Sequence, residues 1–189
     1  MPYFFLHGLV QQSIARGWLA STLRSMTEWD EQWRRVQRWY RRVEAISKGK
    51  VPLLHATDRV VTSGEVFASA AQLTDDFHAF FQNCYHLKDW LVHDASVSLK
   101  QTVDNFINNS PDMRLCADLC NRTKHAVLTR TRAGDRNITT AQNVQVRIGV
   151  GNFTSWTVTS GSTEIDGFDL ATRCVLEWTR YLRPEGLIS

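Results

Sequence analysis

No stretch of this chain reaches the run of about eighteen apolar residues that reads as a membrane-spanning helix, so a bilayer is not expected as its surroundings. None of its four cysteines, Cys84, Cys116, Cys120 and Cys174, belongs to a C-x-x-C pair. Each lies in an apolar stretch, as buried free thiols do, and Cys116 and Cys120 stand one helical turn apart, where they cannot easily bridge each other. That usage points to a reducing, cytoplasmic setting. There is no G-x-S-x-G elbow, no Walker P-loop and no G-x-G-x-x-G fingerprint, which removes the motif support for a serine hydrolase or a nucleotide-binding fold. Internal repeats and low-complexity tracts are missing too. So is a large excess of charge: the net value is +3, too small by itself to mark a nucleic-acid binder.

What is present is ordinary material for a globular core. The 189 residues fit one domain with room for a small appendage, 43% are hydrophobic, and seven Trp and nine Phe supply large apolar surfaces. Residues 1–26 carry Arg16 and Arg24 but no acid, and are read as a peripheral N-terminal extension to a single domain over residues 27–189. Their charges fall after the first apolar residues, the reverse of a secretory signal. Two basic stretches stand out: Arg34, Arg35, Arg38, Arg41 and Arg42, then Arg122, Lys124, Arg130, Arg132 and Arg136 against Asp135 alone. Such runs are either solvated faces or surfaces for phosphate.

Periodicity predicts helices over residues 27–48, 63–94, 96–108, 111–125 and 166–183. The second is the strongest, because Leu73, Phe77, Phe80, Cys84, Leu87 and Leu91 recur at alternating spacings of four and three. Pro111 suits the first turn of the fourth helix. A short strand is expected over 126–132, then a strand–turn–strand unit in which Val144, Val146, Ile148 and Val150 alternate, Gly151 and Asn152 turn, and 153–159 alternates again. The expected fold is mainly α, or α+β by strict naming: a four- to five-helix bundle with a small antiparallel β-hairpin or sheet inserted at about 126–160, before the C-terminal helix.

Two polar helix faces are the candidate working surface. At about 100° per residue, His78, Gln82, His86, Asp89 and His93 fall opposite the apolar stripe of the long helix. Phe81, Tyr85 and Trp90 at its margins imply that something covers this face. His86, Asp89 and His93 are also spaced to share a face as metal ligands, although metal helices more often pair His at i and i+4. The second face carries Arg114, Asp118, Asn121, Arg122 and His125. It combines a proton-transfer group, an orienting carboxylate and guanidinium groups for anionic oxygens, the parts of a metal-free phosphodiester transesterification. An internal ion pair of Asp118 with Arg114 and Arg122, each four residues away, accounts for the same pattern without function.

Residues 121–125, N-R-T-K-H, resemble the tail of the R-polar-x-x-x-H motif of HEPN domains, with Asn121 at the polar position, His125 at the histidine and Cys120 where the arginine should be. Residues 85–90, Y-H-L-K-D-W, taken with Asn121, Lys124 and His125, are similar to a group of bacterial HEPN-like proteins, and the resemblance spans roughly residues 64–126. It implies a helical bundle acting on RNA without a metal or cofactor, of toxin or phage-defence type, as a homodimer, with an antitoxin or other protein as partner. In that reading His125, Arg122, Asn121, Asp118, His86 and Asp89 form the catalytic set, and Arg114, Lys124, Arg130 and Arg132 hold the substrate. The alternative is a non-catalytic HEPN-like module that binds RNA, a nucleotide or a protein, which Cys120 at the arginine position favours.

Overall fold

In a computed structural model, residues 28–48, 53–54, 68–94, 100–125, 128–147 and 151–189 are described. Five helices make up most of them: α1 (Glu28–Ser47), α2 (Ala70–His93), α3 (Lys100–Asn109), α4 (Pro111–Arg122) and α5 (Gly167–Leu182). A three-stranded antiparallel sheet, β3 (Thr139–Arg147), β4 (Gly151–Ser160) and β5 (Thr163–Asp166), precedes α5. The fold is therefore mainly helical with a small sheet before the last helix, as the periodicity predicts. The proposed extension, residues 1–26, lies outside the described residues. No described helix is long and apolar enough to cross a membrane.

The core is built around α2. All six stripe residues, Leu73, Phe77, Phe80, Cys84, Leu87 and Leu91, are fully buried, and complete burial of each large apolar side chain is worth about 1.5–3 kcal/mol. Phe81 and Tyr85 are buried as well, so the apolar arc is wider than the stripe. Helix α1 brings Trp29, Trp33, Val36, Val43 and Ile46 against it. The two helices are also tied by polar contacts: Gln32 donates to the Asn83 carbonyl (2.9 Å), and Arg42 meets Asp76 at 2.7 Å. From the far end of the chain, the Trp178 indole N–H donates to the carbonyl of Cys84 at 3.0 Å.

The sheet docks on the same helix through Trp156, whose ring stacks on Phe77 at 4.6 Å between centroids with an angle of 6°. Closeness is enforced at the entry to α5. A Cβ on Gly167 would lie 2.3 Å from Trp156 Cε3 and 2.7 Å from its carbonyl oxygen, so only glycine fits there. Asp166 caps α5 by accepting from the amides of Phe168 and Asp169. At α4 the Ser110 hydroxyl accepts from the Met113 amide and Pro111 opens the helix.

The structure corrects four local expectations. Residues 128–132 form no strand; they are bends and irregular chain. Their β-branched composition is overridden at the end of the segment, where Asp118 captures the Arg132 amide and the amide of Ala133 that follows it. Gly151 and Asn152 are not the turn but the start of β4, paired with Arg147 and Val146. Beyond the turn at Ser160, residues Thr163–Asp166 return as a third strand beside β4. Ahead of α2, Ala68 and Ser69 are extended and pair in parallel with Leu53 and Leu54, two short strands (β2 and β1), so the helix begins at Ala70 rather than at residue 63.

Candidate functional site

The outer face of α2 is covered at Gln82 and His86, and by this chain itself. Gln82 Nε2 donates to the Thr123 hydroxyl at 2.6 Å, and that hydroxyl donates to the Cys120 carbonyl at 2.7 Å. One turn further along α2, the His86 ring meets two groups from the end of α4: its Nε2 lies 2.9 Å from Lys124 Nζ and 3.7 Å from Cys120 Sγ. The polar face of α2 thus meets the C-terminal end of α4 through Cys120, Thr123 and Lys124. An ammonium has only donors, so Nε2 accepts from Lys124 and the ring proton resides on Nδ1. Burial, then the Lys124 charge, and more weakly Lys88, hold the His86 pKa below its usual 6.5 against the opposing pull of Asp89. His86 is therefore a neutral base at pH 7.

The other expected residues divide sharply. Asp118 is fully buried, and its carboxylate accepts from the Arg132 amide (2.8 and 2.9 Å) and the Ala133 amide (2.6 Å). Burial raises its pKa, opposed by those two amides and by the charges of Arg132 and Arg114. Its oxygens are spent on folding the loop, so its partners are backbone amides, and it is not presented to a substrate. Arg132 is also committed. Its guanidinium bonds to the Asn108 side chain, lies 3.8 Å from Asp104 and sits over the Tyr85 ring at 5.9 Å. Arg114 is half-buried, with its Nε enclosed and unpartnered. Arg130, Lys124, Arg122 and His125 are exposed. Arg122 donates to the His125 carbonyl at 3.0 Å, and the Asn121 carbonyl accepts from the amides of Lys124 and His125, closing the helix end. Asp89 pairs with Lys88 at 2.9 Å, and His93 is exposed. Among the described residues His86, Asp89 and His93 do not converge as metal ligands.

Beside this helix end a cleft of about 320 Å³ is lined by His78, Leu119, Arg122, Ile138, Thr139 and Thr140. Arg122 thus borders both the cleft and the His125 segment. A larger cleft, about 560 Å³, runs between α1 and the C-terminal tail past Trp33 and Leu187, and brings neither His nor Cys together.

Cys120, His86 and Asp89 invite comparison with a thiol nucleophile, its base and an orienting acid. The electrostatics oppose it. Burial drives the Cys120 thiol up to about 11, with Lys124 lowering it only in part, and the residue is fully buried. A thiol that stays protonated and enclosed does not attack a substrate. Its place is to pack against the imidazole.

Sequence reasoning placed His86 and Lys124 in the candidate set but could not pair them. It missed Gln82 and Thr123 as the joint between the helices and Cys120 as a contact of His86. It also missed a second cluster: the Sγ atoms of Cys84, Cys116 and Cys174 lie within 4.8 Å of one another in the core. Compared with protein-family models, curated proteins and solved structures, the chain matches none.

Proposed function

We propose that this chain is a HEPN-like, RNA-directed protein that cuts RNA without a metal ion, using His86 as the base. The observation that carries this reading is the contact of a neutral, half-buried imidazole with the exposed Lys124 ammonium at 2.9 Å, next to Arg122 and His125. A neutral base beside cations matches what transfer at a phosphodiester requires. His86 Nε2 takes the proton of the ribose 2′-hydroxyl once Lys124 turns from the ring to a phosphate oxygen. The 2′-oxygen bonds to phosphorus, the bond to the 5′-oxygen breaks, and His125 in its protonated form returns a proton to that leaving oxygen. The products are a 2′,3′-cyclic phosphate and a 5′-hydroxyl. Lys124 and Arg122 bear the charge developing on the phosphate, and Arg130 extends the cationic surface. The His86–Lys124 contact forms within one chain, so a homodimer is not needed to assemble it. An antitoxin or another protein partner would act by covering this helix end.

The test is incubation of the full chain with single-stranded RNA in a chelator, with analysis of the product ends. Cyclic-phosphate ends are expected, with rates falling about 10²–10⁴-fold in His86→Ala, the usual worth of a positioned base, and by a comparable factor in His125→Ala. Unchanged cleavage in both variants would remove the mechanism. The second reading, an RNA-binding module without cleavage, is favoured by the full burial of Cys120 at the position of the HEPN arginine. Salt-dependent binding of intact RNA, without product, would select it.

A further inference from the structure

Three of the four cysteines converge from three different helices. Cys84 lies on α2, Cys116 on α4 and Cys174 on α5; all three are fully buried, and their sulfur atoms lie within 4.8 Å of one another. With metal–sulfur bonds of about 2.3 Å, a trigonal ion needs sulfurs about 4 Å apart, so this spacing admits one ion with only small rotations. The thiols are already oriented by main-chain acceptors: Cys116 Sγ donates to the Phe81 carbonyl at 3.6 Å and Cys174 Sγ to the Asp112 carbonyl at 3.7 Å.

We propose that Cys84, Cys116 and Cys174 form a three-coordinate thiolate site for a soft, thiophilic monovalent ion, copper(I). The ligand set is all sulfur, which selects soft ions over Mg²⁺ or Ca²⁺. Among the described residues no His or carboxylate joins the cluster as a fourth ligand. Zinc takes four ligands, or three plus a water, and the full burial of all three sulfurs holds them away from solvent. Copper(I) accepts three. Three copper–sulfur bonds form with no change of oxidation state, and any thiol proton displaced leaves to solvent. Because the sulfurs are enclosed, the ion enters through local opening of α5 or during folding, so binding is coupled to stability.

The experiment is an anaerobic competition between the full chain and a chromogenic copper(I) chelator, on native protein and on protein refolded with copper(I) present. The expected result is withdrawal of one equivalent per chain, a rise in Tm on loading, and at least tenfold weaker retention in Cys84→Ser, Cys116→Ser and Cys174→Ser. Cys120→Ser, a buried cysteine outside the cluster, should retain the wild-type equivalent. Failure of the wild-type chain to hold one equivalent under either condition would overturn the proposal, whatever the variants do. So would equal loss in Cys120→Ser, or preferential retention of zinc when both ions are offered.

Discussion

The contact between helices α2 and α4 has an inner part and an outer part, and the two differ in kind. Inward, Cys84 and Cys116 meet Cys174 in a fully buried, all-sulfur cluster. Outward, His86 and the end of α4 meet as an imidazole, an enclosed thiol and a solvated ammonium. On α2 the residues concerned are two apart, about 200° around the helix, so rotation separates them; Cys116 and Cys120 lie one turn apart along α4 and Lys124 follows its end, so there position along the helix separates them. Chemistry that needs water, exchangeable protons and anions belongs to the outer side. Chemistry that needs a dry, soft ligand set belongs to the inner one.

The sharpest way to break this comparison is to remove packing from one face and compare the other. Phe81→Ala should cost about 3–5 kcal/mol by denaturant unfolding, since its ring is fully buried between Phe77, Phe80 and Trp156. A loss below about 1 kcal/mol would show that the inner face is not the core. Asp118→Ala should cost about 2–3 kcal/mol, because a fully buried carboxylate that holds two loop amides is lost. Hydrogen exchange should then quicken first at the Arg132 and Ala133 amides. Gln82→Ala should cost only about 1 kcal/mol, one side-chain hydrogen bond to Thr123 at the edge of the site. The smallest effect separates two arginines that sequence alone treats alike. Arg130→Ala should lower the salt dependence of RNA binding by about one phosphate contact, whereas Arg132→Ala should leave that slope in place, its guanidinium being held by Asn108 and Asp104. Equal slopes for both variants would count against the assignment of the outer surface.

Much of the fold could be read from the chain because the strongest signals are local. The stripe from Leu73 to Leu91 is periodic within one helix, and Ser110 with Pro111 marks the start of α4. The strand expected over 126–132 failed because β-branched composition says nothing about a buried aspartate arriving from α4 to hold the chain at Arg132 and Ala133. The third strand was hidden because Thr163–Asp166 is only four residues long and looks like the end of a turn. For the site, helical spacing put His86 and Lys124 on candidate faces but carries no information about crossing geometry. The sulfur cluster draws on positions 84, 116 and 174, which only the packing of three helices brings together.

The acid limb of the pH–rate profile for RNA cleavage bears most directly on the outer site. His86 must be neutral to accept a proton, and its pKa is held below 6.5 by burial and by Lys124. The rate should therefore fall only as the pH drops below 6.5, through the lowered pKa. In the native state the neutral ring is favoured, so its contribution to stability is present above 6.5 and is lost over the same acid window. Lys124→Ala removes one of the two leading causes and should move the limb upward, toward 6.5, alongside any loss of rate from weaker phosphate binding. A wild-type limb above 6.5, or a limb that stays in place in Lys124→Ala, would contradict the assignment of His86 as the base.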